Sequence, residues 1–230
     1  MSANSVALIL GAGPRVGASV AAKFASKGYK VAVASRSGTG SKTPEGFFSL
    51  KADFTKPDSI ASLFDAVQAE FHAAPGVVVY NAAALTAPPD NNSVFSITAE
   101  SVVSDLNVNT VSPYVAAQQA ARGWETLSKD AKKAFIYTGN MLNVAIMPVP
   151  MLLDLGMGKS ASAFWLGVAD ATYTGARFFY ADERYGDGKS KGMEVDGDAH
   201  GEFYAQLVDN GDNVPWHATF VKDKGYVEFK

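Results

Sequence analysis

Seven residues near the start of the chain, Gly11-Ala12-Gly13-Pro14-Arg15-Val16-Gly17, have the types and spacing needed to cradle a diphosphate. Glycines let the backbone turn tightly and bring main-chain N–H groups close to phosphate oxygens, and a following helix N-terminus adds partial positive charge. Ser35-Arg36 closes the next apolar run. A carboxylate there would accept from a ribose 2′-hydroxyl, whereas a guanidinium pairs with a 2′-phosphate. Arg36, with Arg15 inside the turn, therefore favours NADP(H) over NAD(H); two solvated surface charges are the competing reading. The G-x-G-x-x-x-G spacing is one residue longer than the usual fingerprint, so a tight turn without a ligand also remains open.

These residues need a strand before the turn and a helix after it. The apolar run Val6-Ala7-Leu8-Ile9-Leu10 reads as a buried strand, Ala18 to Lys27 as a helix and Val31 to Ala34 as a second strand. Alternation continues. Strands are predicted at 46–51, 77–80, 134–138, 176–180 and 218–221, with helices at 57–71, 159–173 and 202–208. A long helix is predicted at 99–124, kinked by Pro113. The pattern predicts a single α/β domain over residues 1–230, a Rossmann-type doubly wound parallel sheet flanked by helices.

Composition narrows the function. At 230 residues, 47% hydrophobic and 19% charged, the chain suits one globular domain. A net charge of −3 argues against a nucleic-acid or membrane-surface partner, and no run is long enough to span a bilayer. Without cysteine there is no disulfide, thiol nucleophile or thiolate metal site. No secretory signal pattern opens the sequence, so a cytoplasmic location and a small-molecule substrate are expected.

The order of motifs resembles the short-chain dehydrogenase/reductase family over nearly the whole chain. By that resemblance Gly11, Gly13, Arg15, Val16, Gly17, Ser35, Arg36, Asp53, Phe54, Asn81, Ala82, Ala83 and Lys159 line a dinucleotide site. Asp53 corresponds to the residue at the adenine amine. Asn81-Ala82-Ala83 stands for the family's Asn-Ala-Gly, and Asn109 for the Asn that holds a relay water near the active-site Lys. The family's catalytic Tyr-x-x-x-Lys places a phenol and an ammonium on one helix face, where the cation lowers the phenol pKa. Aligned on Lys159, the Tyr position is Leu155, and the Ser position falls at Thr138-Gly139-Asn140, without a Ser. The resemblance also implies a homodimer or homotetramer, and a mobile lid over about 182–210.

Catalytic candidates are thus Lys159, Asn109, Thr138 and Asn140. Thr138 and Asn140 either donate to a substrate carbonyl or cap a turn. Tyr80 and Tyr137 lie near the cofactor or serve as core residues with satisfied hydroxyls. Tyr185 to Lys189 and Tyr226 to Lys230 match the motif by letter only, the first being too glycine-rich for a helix. The acidic stretch Asp182 to Asp198, with His200, fits no calcium loop and reads as a solvated loop rather than a metal site. Phe203, Tyr204 and Leu207 share a helix face that lines a pocket or packs on the core. Two functions follow: an NADP(H)-dependent reductase of a small carbonyl, enone or imine, or a nucleotide-binding protein without reductase activity.

Overall fold

The computed structural model describes residues 5–229. Its centre is an eight-stranded sheet in the order β3-β2-β1-β4-β5-β6-β7-β8. The strands are β1 (Val6–Leu10), β2 (Lys30–Ser35), β3 (Phe48–Lys51), β4 (Val77–Tyr80), β5 (Ala134–Thr138), β6 (Arg177–Glu183), β7 (His217–Val221) and β8 (Gly225–Tyr226). All neighbours pair in parallel except β7 and β8. Every residue of β1 and β4 is buried, as expected of a parallel sheet covered on both faces.

Helices α2 (Ile60–Phe71), α4 (Ser112–Trp124) and α5 (Leu153–Thr172) cover one face. On the other face lie α1 (Val16–Ser26) and α6 (Gly197–Asn210). Ile60, Leu63, Phe64 and Val67 form the buried stripe of α2 predicted by their spacing. Among the described residues, no helix is long and apolar enough to cross a membrane.

Chain order reverses between β1, which continues to β2 on one side, and β4, which begins the other half. Such a switch point opens a crevice beyond the carboxyl ends of the strands. The glycine turn follows β1 and Asn81 follows β4, so both sit at that crevice.

The long predicted helix is three pieces: α3 (Ala99–Leu106), a π-helical turn (Asn107–Val111) and α4. Pro113 has no N–H to give the Asn109 carbonyl, and the Ser112 N–H reaches back five residues to the Asn107 carbonyl. The ladder is widened rather than merely kinked. That change releases two carbonyls for tertiary contacts.

Candidate functional site

The glycine turn is fixed by close approach. Gly11 has φ +96°, and a Cβ there would lie 2.3 Å from the Ala82 nitrogen. A Cβ on Gly17 would meet the Gly11 oxygen at 2.6 Å. One on Gly13 would meet nothing within 4 Å, so this glycine borders open space. Asn81 braces the turn, donating from its backbone to the Leu10 carbonyl at 2.7 Å and from Nδ2 to the Gly11 carbonyl at 2.8 Å. No side chain caps α1 and no acid occupies its first turn, so its N-terminus keeps its positive field.

Along the same sheet edge, Ser35 ends β2 and exposed Arg36 follows it. Asp53, after β3, accepts from the Thr55 N–H at 3.1 Å and the Thr55 hydroxyl at 2.7 Å. These bonds hold its carboxyl below the usual range. Phe54 is buried edge-to-face on Tyr80. Arg15 is turned elsewhere: its guanidinium donates to the Met193 carbonyl at 2.6 Å.

Asn109 is fully buried with its polar groups engaged. Its Oδ1 accepts from the Ala84 N–H at 3.0 Å and its Nδ2 donates to the Ala84 carbonyl at 2.7 Å. Its own carbonyl, freed by Pro113, accepts from the Tyr137 hydroxyl at 2.8 Å and the Ser162 hydroxyl at 2.7 Å. The Val108 carbonyl, freed with it, takes the Tyr80 hydroxyl at 2.6 Å. Asn109 therefore pins the loop after β4 to the π turn. Tyr80 and Tyr137 are core residues with satisfied hydroxyls, and burial raises both pKa values.

Lys159 lies in the second turn of α5, 4% exposed. Its Nζ donates to the Thr138 carbonyl at 2.7 Å and stands 4.3 Å above the Tyr137 ring. Burial pushes the ammonium from its ordinary 10.5 down to about 7, partly opposed by the Asp182 carboxylate. The Thr138 hydroxyl accepts from the Tyr204 hydroxyl at 2.8 Å, which leaves its own hydrogen able to donate. Asn140 caps the turn after β5, its Oδ1 accepting from the Leu142 N–H at 3.0 Å. Its backbone is clamped by the Tyr180 hydroxyl. The position one turn before Lys159 is held by Leu155, buried at 8% exposure.

The chain and its fold are matched in known proteins. The family described as short chain dehydrogenase matches residues 5–138. The "Short chain dehydrogenase/reductase dmxR12" of Cryptosporiopsis sp. (strain 8999) is 36% identical over 98% of this chain and 95% of its own. The chain belongs to the short-chain dehydrogenase/reductase family. Solved structures share the fold. A 3-ketoacyl-(acyl-carrier-protein) reductase from Brucella melitensis complexed with NADH matches with TM-score 0.76 at 18% identity, over 96% of this chain and 98% of that one. A short chain dehydrogenase from Burkholderia cenocepacia J2315 in complex with NADP matches with TM-score 0.72 at 20% identity, over 96% and 97%.

Against the family pattern, the C-terminal third departs most from the sequence reading. The stretch after residue 182 is not simply a solvated acidic loop. β6 runs three residues past its predicted end, to Glu183, and Asp182, Glu183 and the following Arg184 are buried at 1%, 3% and 5% exposure. Arg184 Nε donates to Asp182 at 2.6 Å, and Glu183 accepts from the Asp196 N–H at 2.7 Å. These internal partners are what make the burial of charge tolerable. Residues 197–210 of the expected lid are helix α6, packed on α1, with Phe203, Tyr204 and Leu207 in the core. α5 begins at Leu153, six residues earlier than predicted, because Gly156 and Gly158 are tolerated within it. Gly158 lets the π turn approach: a Cβ there would lie 2.4 Å from the Asn109 Cβ.

Sequence reasoning missed Ser162 and the carboxyl pair of Asp105 and Asp154. Only Asp154 carried a signal, as a lone acid in the apolar run Met151-Leu152-Leu153-Asp154-Leu155. It also missed a cavity of about 510 Å³ between the loop after β5 and the start of α5. Leu142, Ile146, Met147, Val149 and Met157 give it an almost wholly apolar lining.

Proposed function

We propose that the protein is an NADP(H)-dependent reductase of an apolar carbonyl, enone or imine compound, in which Lys159 takes over proton delivery. The observation that carries this reading is Lys159 itself: a buried lysine with an ammonium near its neutral point, at the carboxyl ends of the strands that position the glycine turn. The residues present fit the nucleotide. Gly13 borders open space, α1 is uncapped, and Arg36 stands exposed beyond β2 for a 2′-phosphate.

When bound, the nicotinamide supplies a hydride to the substrate carbon. The protein's part is the proton and the developing negative charge. A lysine held near pH 7 is poised for general acid catalysis, since both of its protonation states are populated at neutral pH. Lys159 Nζ would pass a proton to the substrate oxygen or nitrogen and regain one from water, and the Thr138 hydroxyl would donate to the same atom. Asn109 would act as a positioning residue, because its polar groups already hold Ala84, Tyr137 and Ser162. Leu155 at the family's Tyr position leaves no phenol on this helix face, which is the reason to assign the proton to Lys159. The apolar cavity beside the first turns of α5 would take the body of the substrate by excluding water from it. Phe164 and Val168 on α5 and Tyr173 just after it, exposed at 77%, 50% and 51%, support pairing of two copies through α4 and α5.

The test combines NADPH titration by fluorescence with turnover on a panel of apolar ketones, enones and imines. Binding is expected with turnover that falls above about pH 7, as Lys159 loses its proton. Binding without turnover on any compound would favour a nucleotide-binding protein that is not a reductase. No binding of either nucleotide would remove the reading altogether.

A further inference from the structure

Two carboxyl groups that this reaction does not use meet between α3 and α5. Asp154 is fully buried and Asp105 is 6% exposed. Thr86 binds both carboxyls, which brings them side by side. Two ionised carboxylates set together out of water repel, and a proton held in common removes that repulsion.

The oxygens of the pair are filled by one loop residue and one helix end. The Thr86 N–H donates to Asp154 Oδ2 at 3.1 Å, and the Thr86 hydroxyl to Asp105 Oδ2 at 2.7 Å. The Leu155 N–H donates to Asp154 Oδ1 at 2.8 Å. Thr86 thus bridges both acids. It also lies on the loop that begins at Asn81 and includes Ala82, Ala83 and Ala84, the segment that closes over Gly11. The acids join that loop to the turn of α5 that leads to Lys159.

The charges facing Asp154 are few. α3 contributes Asp105, and the loop contributes only the neutral Thr86. On α5 the Lys159 ammonium is directed at the Thr138 carbonyl. Asp105 is the one charged group acting on Asp154 among the described residues.

We propose that Asp105 and Asp154 are positioning residues that share one proton and, through Thr86, latch the loop after β4 to the start of α5. The site stays assembled while the proton is held. Losing it sets two buried carboxylates against each other, and the least costly relief is to let Thr86 and its loop move outward into water. Burial and the neighbouring acid push Asp154 up to about 6, so the latch releases between mildly acidic and neutral pH. The consequence for cofactor binding rests on the proposed function; the latch does not.

Amide hydrogen exchange of the free protein reads the latch directly, because the Thr86 and Leu155 N–H groups are its bonds. After correction for the intrinsic exchange rate, protection of both amides is expected to fall about tenfold between pH 5 and pH 8. In Asp105→Asn, whose amide donates to Asp154 and leaves both Asp154 oxygens to accept from the N–H groups, the fall is expected to disappear. Asp154→Asn keeps one of the two acceptors, so the pH dependence of the amide still bonded provides the same comparison should the first variant fold poorly. Protection in the native chain that does not change with pH, or an equal fall in a folded variant, would overturn the proposal. NADPH affinity over the same range is a separate measurement: no binding at any pH with exchange as expected would count against the proposed function and leave the latch standing.

Discussion

Replacing Lys159 by methionine tests whether the chain holds a near-neutral ammonium at its reaction centre. The native group is shifted from 10.5 to about 7. Because its folded pKa is the lower one, the unfolded chain binds more protons between these values, and stability must rise with pH across that window. At about 1.4 kcal/mol per unit the full shift corresponds to about 5 kcal/mol. Structural relaxation around a buried ammonium reduces this, so about 2–5 kcal/mol is expected. Met fills the same space without the charge. It leaves the Thr138 carbonyl without its donor, at about 1–2 kcal/mol, but that loss is the same at every pH. Urea denaturation of both proteins at pH 6.5, 8 and 9.5 separates slope from offset. Native stability should climb relative to Lys159→Met as pH rises, while tyrosine titration cancels between the two. Parallel curves would refute the reasoning, and with it Lys159 as the proton source; turnover by the variant at the native rate would do the same.

Arg36→Asp should weaken NADPH binding at least tenfold more than NADH binding, measured by calorimetry; equal losses would remove the 2′-phosphate contact. Leu155→Tyr places a phenol one turn before Lys159 and should raise carbonyl reduction, with an unchanged rate meaning that substrate does not reach that face. Gly11→Ala combines a positive φ with a Cβ 2.3 Å from the Ala82 nitrogen, so it should cost about 2–4 kcal/mol in urea denaturation and abolish nucleotide binding.

The α/β alternation, the glycine turn and every strand of the parallel sheet could be read from the sequence because each depends on residues adjacent in the chain. A fully buried strand such as Val6–Leu10 is a continuous apolar run, and the stripe of Ile60, Leu63, Phe64 and Val67 repeats with the helix period. Lys159, Asn109 and Asn81 were found because their spacing matched a family. What each does was decided elsewhere. Asn109 became a brace because Pro113 opened the helix around it and Tyr137 and Ser162 arrived to use the carbonyl, three segments that only the packed sheet brings together. The acidic stretch looked solvated because a buried carboxylate is costly alone, and its partner Arg184 lies two residues on, just past the end of β6, a relation that exists only once the strand carries Asp182 into the core. The pairing of Asp105 with Asp154 spans two helices and a loop. Local residue pattern set the elements; the protonation and aim of the side chains between them came from burial, which no short stretch of sequence contains.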